Sequence, residues 1–178
     1  PTKRYEVPIK IPRGKSVSTE SFEFEVASKA PFAFKIKRRF TNTVIWDTSL
    51  GGLVFSDKFI QIATALPTDK VYGFGENVHR SIKHDFSQYK TWAMFARDEP
   101  PNSGGLDTKN LYGVHPFYLC LENDGKAHGV LFWNSDPQEV VTGPHPHLIY
   151  RTIGGLLDIY FFPGPTPEDV VKQYSAFV

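Results

Sequence analysis

The sequence predicts an all-β domain, an antiparallel β-sandwich followed by one short C-terminal helix. Apolar and polar residues alternate with a period of two through most of the 178 residues, and turn-forming residues recur at short intervals. Only the last segment has helical spacing. Many short strands separated by regular turns are typical of a sandwich. A chain of this length suits one domain, and its 15% aromatic residues indicate an ordered core.

The first half of the chain contains alternating segments that we expect to form strands. They are "SFEFEVA", "FAFKIKRRF", "TVIWDTS" and "KFIQIATAL". In the first two, the alternation predicts one inward face: Phe22, Phe24, Val26, Phe32, Phe34 and Ile36. The basic run at residues 35–39 is expected to be a solvated strand face. Turn residues such as Gly51-Gly52 separate the segments.

The second half continues the pattern. The predicted strands are "LYGVHPFYLCLE", "AHGVLFWNS", "QEVVTG", "HLIYRTIG" and "LLDIYFF". Residues 123–126, "NDGK", should form a hairpin turn, because Asp-Gly tolerates positive φ. Pro116 predicts an edge, a bulge or a kink. Cys120, the only cysteine, is expected to be a small buried hydrophobe.

The last segment carries the signals of a helix start. Thr166 can cap it, Pro167 suits its first position, and Asp169 stands three residues after the cap, near the capping-box pattern. Four apolar residues recur at helical spacing: Val170, Val171, Tyr174 and Phe177. We therefore divide the chain into a sandwich at residues 1–165 and a helix at residues 166–178.

Several kinds of function are not indicated. The net charge of +1 gives no general attraction for nucleic acid, and no apolar run is long enough to span a bilayer. "YGFGEN" lacks the Lys-Ser/Thr of a phosphate loop. His145 and His147 would share one face of a strand and could bind zinc with a third ligand, but an exposed loop is the commoner explanation. We predict no cofactor and no metal.

Four acidic residues lie near aromatic residues and are the candidates for chemistry: Glu76, Asp85, Asp98 and Asp158. Glycoside cleavage commonly uses two carboxylates. Proteins also hold sugars with aromatic faces flanked by acids, because rings stack on C–H faces and carboxylates accept hydroxyl hydrogens. Either use would fit these residues.

Each acid also has a purely structural interpretation, which spacing alone favours. Glu76 could bond backbone in a tight turn, and Asp85 could lie in a solvated loop. Asp98 could form an Asx turn. Asp158 could pair with Arg151 across a hairpin. From the residues by themselves, the structural interpretation is the favoured one for each of the four acids.

Four segments together resemble a known family. They are residues 71–77 ("VYGFGEN"), 92–101 ("WAMFARDEPP"), 110–135 and 150–174. They resemble the glycoside hydrolase family 31 α-glucosidases, most nearly the intestinal members. The last segment is the most specific, since the order Arg-Thr-x-Gly-Gly-x-Leu-Asp followed by Gly-Pro-Thr-Pro-Glu is long.

The resemblance implies a galactose-mutarotase-like sandwich that precedes a (β/α)₈ barrel. In that family the nucleophile and the acid/base are aspartates of the barrel, so we expect no catalytic residue in this chain. A sandwich loop reaches the barrel mouth there, and the aspartate of its Arg-Asp pair touches the substrate sugar. Asp98 matches that aspartate. Trp92 and Phe95 lead into the loop, and residues 102–110 would form its return.

Two functions remain open at this point. The resemblance implies part of a retaining α-glucosidase that removes terminal glucose from malto- or isomalto-oligosaccharides, located on the extracellular face of the apical plasma membrane. Its partners would be α-glucosides and the barrel, not nucleic acid, and this chain alone would be inactive. The alternative is a free-standing carbohydrate-binding or scaffold module.

Overall fold

The computed structural model describes residues 3–9, 11, 21–100 and 110–178. That part of the chain contains twelve strands and one α-helix. The elements are β1 (Phe22–Lys29), β2 (Phe32–Arg38), β3 (Val44–Asp47), β4 (Val54–Ser56), β5 (Phe59–Ala65), β6 (Val71–Gly73), β7 (Lys90–Met94), β8 (Phe117–Leu121), β9 (Ala127–Phe132), β10 (Gln138–Gly143), β11 (His147–Thr152), β12 (Ile159–Phe162) and α1 (Pro167–Phe177).

The strands form two antiparallel sheets. The larger sheet has the order β1-β2-β3-β5-β11-β10-β7, with β4 also paired to β5. The smaller sheet has the order β12-β9-β8-β6. Among the described residues every strand pairing is antiparallel. The predicted all-β antiparallel sandwich with a C-terminal helix is therefore confirmed.

Large aromatic side chains fill the space between the sheets. Trp46 and Tyr150 come from the larger sheet, and Tyr118 and Phe132 come from the smaller one; all four are almost completely buried. The rings of Phe132 and Tyr150 stack with their centroids 4.1 Å apart, and Trp46 lies 6.1 Å from Phe132. Burying each such side chain contributes about 2–3 kcal/mol. These contacts hold the two sheets face to face.

The predicted start of the helix is confirmed. The Thr166 hydroxyl accepts the backbone N–H of Asp169, the Asp169 carboxylate accepts the N–H of Thr166, and Pro167 occupies the first turn. This reciprocal arrangement satisfies two amides that would otherwise lack partners. An aspartate thus completes a capping box that more often uses glutamate or glutamine.

The helix covers the outer face of the smaller sheet. Val170 is fully buried in a second apolar cluster with Ala127, Leu131 and Phe162. Its Cγ1 would lie only 2.7 Å from a Cβ at Gly129, so only glycine allows this approach. Val171, by contrast, is about half exposed. The apolar face that the helix turns toward the sheet is therefore narrower than the four residues at helical spacing predict.

The first hairpin departs from its prediction. Phe22 and Ile36 are buried as expected, but Phe24, Val26 and Phe32 are 59%, 47% and 47% exposed. The predicted inward face is therefore wrong for these three side chains. Within the described ranges the larger sheet has eight strands and the smaller has four, so the smaller sheet does not cover all of the edge that β1 and β2 form.

The basic run on β2 is likewise only partly solvated. Arg38 is 5% exposed, whereas Lys35 and Lys37 are partly exposed and pair with Asp47 and Glu25. The cause is the strand period of two, which puts Arg38 on the same face as buried Ile36. The prediction of a wholly solvated face is wrong at this position.

Three smaller predictions concern β8 and the turn that follows it. Pro116 precedes the strand rather than interrupting it, and its carbonyl accepts the N–H of Phe132 at 2.9 Å. The turn that follows β8 places Gly125 at φ +84°, as the Asp-Gly pair predicts. Cys120 is completely buried, and burial raises the pKa of its thiol to about 12. It is an inert core residue, as expected.

Candidate functional site

The segment after β7 changes from buried to exposed within a few residues. Trp92 and Met94 are each 1% exposed, and the Trp92 indole donates to the Thr142 hydroxyl at 3.0 Å. From Phe95 to Asp98 the chain is exposed. A firmly packed strand therefore leads into a surface loop, as the sequence predicts. Of its predicted return, residues 102–110, only Asn110 lies within the described residues.

The Asp98 carboxylate points into an open environment. In the described part of the chain, no hydrogen bond or ion pair involves its side chain. The Asx-turn interpretation fails for a covalent reason, because the residues whose N–H would close such a turn, at positions 100 and 101, are prolines and have no N–H to donate. Among the described residues of its loop, the carboxylate therefore has no partner to hold in place.

The two ends of this loop are joined at its base. The N–H of Arg97 donates to the Leu111 carbonyl at 2.8 Å, and the N–H of Leu111 donates to the Glu76 carbonyl at 2.9 Å. Asn77 and Asn110 also form an isolated β-bridge. The turn at residues 73–77 therefore bonds directly to the returning chain, and through Leu111 it is connected to the outgoing chain at Arg97.

Asn110 and Glu76 complete this connection with side-chain bonds. The Asn110 amide, 1% exposed, donates to the carbonyls of Glu76 and Gly113 at 3.2 and 2.8 Å. The Glu76 carboxylate accepts the N–H of Gly113 at 2.6 Å. We call the set of Glu76, Asn110, Leu111 and Gly113 the loop clamp. The prediction that Glu76 bonds backbone is confirmed, but that backbone belongs to Gly113, 37 positions away, and not to the tight turn that carries Glu76.

The turn that carries Glu76 requires its glycines. Gly73, Phe74 and Gly75 all have positive φ, at 131°, 69° and 83°. A Cβ at Gly73 would lie 2.3 Å from the Phe117 carbonyl oxygen, and one at Gly75 would lie 2.6 Å from that of Gly113. Phe74 tolerates this backbone because its ring is fully buried. The "GFG" sequence thus makes a tight turn against neighbouring backbone.

The other two candidate acids lie elsewhere. Asp85 precedes β7 and binds Lys90 at 2.7 Å and the N–H of Ser87 at 2.8 Å, which holds the pKa of its carboxyl below the usual range. Because Asp98 follows the other end of β7, the strand separates these two carboxylates. The predicted solvated loop at Asp85 is confirmed, and the structure does not bring these two acids together.

The predicted pairing of Asp158 with Arg151 is wrong. Arg151 binds the Glu139 carboxylate at 2.9 Å and the Gln61 side chain at 2.7 Å. Glu139 lies directly opposite Arg151 in the register of β10 and β11, so the nearer partner is on the adjacent strand.

A groove of about 1180 Å³ lies beside the amino end of β7. His79, His84 and Trp92 form its floor, with the imidazole of His84 4.6 Å from the Trp92 ring and 5.0 Å from that of His79. Burial lowers the pKa of His84 to about 4 and lowers that of His79. Both rings are therefore neutral at physiological pH.

Within the described residues, no third ligand joins the histidine pair considered for zinc. His145 occupies an exposed turn at φ +55°, and His147 Nδ1 lies 2.7 Å from the Pro144 carbonyl. Over the described ranges, no group of three or more His, Cys, Asp or Glu side chains is arranged to hold a metal ion. The described helix is too short and polar to cross a membrane.

Asn110 is the residue of this site that the sequence did not reveal. Its partner Glu76 is 34 positions away, and no local pattern connects the two. The only signal is that "GEN" and "NLYG" both fall inside the segments that resemble the family. Such a pairing depends on how the sheets bring distant turns together.

Comparison with known proteins decides the family. A sequence profile described as the glycosyl hydrolase 31 N-terminal galactose mutarotase-like domain matches residues 5–140. The chain belongs to glycoside hydrolase family 31. Its sandwich is thus the N-terminal domain characteristic of these glycosidases, and the family resemblance read from the sequence is confirmed.

Two similar family 31 proteins show how much of the whole enzyme is present. Intestinal sucrase-isomaltase from Oryctolagus cuniculus is 48% identical over 99% of this chain, which spans 10% of that protein. Lysosomal alpha-glucosidase from Mus musculus is 40% identical over 97% of this chain, which spans 18% of that protein. The chain therefore corresponds to a small part of these family 31 relatives.

A solved family 31 structure has the same fold. The dextranase FjDex31A of Flavobacterium johnsoniae, complexed with glucose, matches 89% of this chain with a TM-score of 0.66. The match covers 18% of that protein, and the sequences are 19% identical. At this identity the likeness establishes the architecture of the sandwich.

Proposed function

We propose that this chain is the N-terminal domain of a retaining α-glucosidase that removes terminal α-linked glucose from malto- or isomalto-oligosaccharides. Family 31 membership and the similarity to sucrase-isomaltase support this assignment. The higher identity to the intestinal relative than to the lysosomal one favours a place on the extracellular face of the apical plasma membrane.

The single observation that carries the proposal is the exposed Asp98 carboxylate on the loop that follows the firmly packed strand β7. Its two oxygens can accept hydrogen bonds from adjacent sugar hydroxyls. Such bonds to a charged acceptor are worth about 1–3 kcal/mol and fix the orientation of the sugar. Asp98 would therefore act in substrate binding and not as nucleophile or proton donor.

The catalytic pair would lie in a (β/α)₈ barrel outside this chain. The loop that begins at Phe95 and carries Asp98, which we call the Asp98 loop, would extend over the mouth of that barrel. A retaining glycosidase needs two carboxyl groups about 5 Å apart. Asp85 and Asp98 are separated by the length of β7, and Asp85 is already held by Lys90. The proposed partners are thus an oligosaccharide and the barrel, with no cofactor.

Substitution of Asp98 in the full-length enzyme tests this role. We expect Asp98→Ala to lower kcat/KM about tenfold, mainly through a higher KM, with an unchanged melting temperature. Asp57→Ala is the matched control, since Asp57 is also an exposed turn aspartate but lies between β4 and β5. Wild-type kinetics for Asp98→Ala would exclude a substrate contact at this position.

The free-standing module is the alternative, and the 178-residue chain itself can address it. We expect no hydrolysis of a chromogenic α-glucoside by the purified chain, because it lacks the barrel aspartates. Measurable turnover would contradict the proposal that catalysis lies outside these residues. A gene in which no barrel follows residue 178 would favour the module.

A further inference from the structure

We propose that Glu76 is a positioning residue that holds the Asp98 loop in its substrate-binding position. This inference rests on the proposed function of Asp98. It goes beyond that function because Glu76 lies 22 positions earlier in the sequence and on a different turn. Its side chain would act on the substrate only through the loop.

A short hydrogen-bonded path joins the two residues. The Glu76 carbonyl accepts the Leu111 N–H at 2.9 Å, and the Leu111 carbonyl accepts the Arg97 N–H at 2.8 Å. Asp98 follows Arg97 directly in the chain. Any movement of Leu111 relative to Glu76 is therefore passed to the residue next to Asp98.

The Glu76 carboxylate fixes the position of the returning chain. It accepts the Gly113 N–H at 2.6 Å, and the Gly113 carbonyl accepts the Glu76 N–H at 3.1 Å. With the Leu111 bond, Glu76 thus makes three bonds to a three-residue segment. The carboxylate bond is charge-assisted and so is the strongest of them. A Cβ at Gly113 would lie 3.2 Å from Oε2, so glycine allows this close approach.

The turn beneath Glu76 gives the clamp a rigid base. Gly73, Phe74 and Gly75 occupy left-handed conformations, and the Phe74 ring is fully buried against Tyr118 at 5.5 Å. The Phe74 N–H also donates to the Phe117 carbonyl at 2.9 Å. Because this turn cannot move without disturbing the core, the Glu76 carboxylate is held at a defined place relative to the sandwich.

The functional consequence concerns placement rather than stability. Misplacing a substrate-contacting group by about 1 Å can cost up to about 100-fold in rate. Glu76 is an exposed residue, so its loss removes little packing. We expect its substitution to affect substrate binding more than folding.

The test uses the full-length enzyme with four variants: Glu76→Ala, Glu76→Gln, Asp98→Ala and the double Glu76→Ala/Asp98→Ala. We expect Glu76→Ala to raise KM about fivefold to tenfold with kcat within about twofold. Glu76→Gln keeps an oxygen that accepts the Gly113 N–H and should restore most of the affinity. The KM of the double variant should be no higher than that of Asp98→Ala, because both changes act on the same contact with the substrate.

Asp85→Ala is the matched control. Asp85 also accepts a backbone N–H, from Ser87 at 2.8 Å, but it lies at the other end of β7. Its removal should leave KM unchanged. A change as large as that of Glu76→Ala would mean that any such bond affects KM, and would overturn the inference.

The outcomes separate this inference from the proposed function. If Asp98→Ala has wild-type kinetics, the proposed function of Asp98 fails. If Asp98→Ala is impaired while Glu76→Ala is normal, only the positioning role fails. The positioning role would also be overturned if the KM of the double variant rose by the product of the two single effects. It would be overturned equally if Glu76→Gln raised KM as much as Glu76→Ala. Both results would leave the role of Asp98 intact.

Discussion

Arg38 on the larger sheet and Glu122 beside the smaller sheet form a buried ion pair. Arg38 Nε lies 2.7 Å from Glu122 Oε2, and Nη2 lies 2.6 Å from Oε1. Arg38 also donates to the Ala127 carbonyl, and His128 Nδ1 lies 2.9 Å from the same carboxylate. This cluster connects the two sheets at the end of the sandwich where β2 and β8 finish.

Breaking this pair should be costly. Glu122→Ala leaves the buried guanidinium of Arg38 without its anion, and such a change destabilises a protein by about 3–5 kcal/mol. Urea unfolding of the 178-residue chain measures this loss. The double variant Arg38→Met/Glu122→Leu should recover much of it, because no buried charge remains unpaired.

The partly exposed pair of Lys35 and Asp47, 3.0 Å apart, provides the comparison. Lys35→Met should cost less than about 1 kcal/mol, since solvent screens this pair. A Glu122→Ala cost as small as that of Lys35→Met would contradict a structural role for the buried pair.

Acid should destabilise the domain in two stages. Burial lowers the pKa of His128 below its ordinary value and lowers that of His84 to about 4. The contribution of these neutral histidines to the free energy of unfolding is therefore fully present above pH 6.5, the ordinary histidine pKa. As the pH falls below 6.5 the unfolded chain takes up protons first, so the folded state loses stability. For His84 the loss between pH 7 and pH 5 is on the order of 2 kcal/mol.

The second stage involves Glu122. Burial alone would raise the pKa of its carboxyl, but hydrogen bonds from His128 and Arg38 lower it below 4.5. Its contribution is present above about pH 4.5 and is lost as the pH falls further. Urea midpoints across this range should fall at both stages.

A substitution can isolate the first stage. His84→Gln should flatten the loss between pH 6.5 and pH 4, whereas His145→Asn should not, because His145 is exposed and asparagine tolerates its positive φ. An unchanged pH dependence in His84→Gln would show that His84 is not buried as a neutral base.

Local patterns in the sequence predict the strands, the hairpin at Gly125 and the capping box at Thr166, because each depends on residues next to one another. The errors have a different origin. Phe24 and Arg38 follow the same period of two, yet one is exposed and the other buried. What differs is whether the smaller sheet lies opposite, and that depends on how many strands each sheet has.

The candidate site shows the same division. The exposure of Asp98 follows from its place after a buried strand, and its role was suggested by family resemblance. The clamp between Glu76 and Asn110 joins positions 34 apart, and no periodicity or spacing encodes it. Contacts of this kind become visible only when the folded chain is known.

The glycines of the turn beneath the clamp should resist substitution. Gly75→Ala places a residue at φ +83° and a Cβ 2.6 Å from the Gly113 carbonyl oxygen. Gly125→Ala is a close control, because Gly125 has φ +84° and no atom within 4 Å of the added Cβ. The control should cost about 1–2 kcal/mol for the left-handed backbone.

Gly75→Ala should cost at least about 1 kcal/mol more than this control, because the carbonyl must also move. Thermal unfolding of both variants measures the difference. Equal losses would mean that the Gly113 carbonyl yields without cost, and that the turn does not hold the clamp rigidly.

The first hairpin should make the isolated chain associate with itself. Phe24, Val26 and Phe32 are exposed on one apolar patch, with the Phe24 ring stacked 5.3 Å from that of Phe34. In the described part of the chain, β1 is also an edge strand, and an apolar edge is an aggregation site. Sedimentation of the 178-residue chain should therefore show a molecular mass that rises with concentration.

Removing the patch should remove this association. Phe24→Ser/Phe32→Ser should sediment as a monomer and bind less of a hydrophobic dye, with little loss of stability because both rings are about half exposed. Phe40→Ser is the control, since Phe40 is 86% exposed but lies outside the patch. If Phe40→Ser abolishes association equally well, or if the wild-type chain is monomeric at every concentration, the hairpin patch is not the surface responsible.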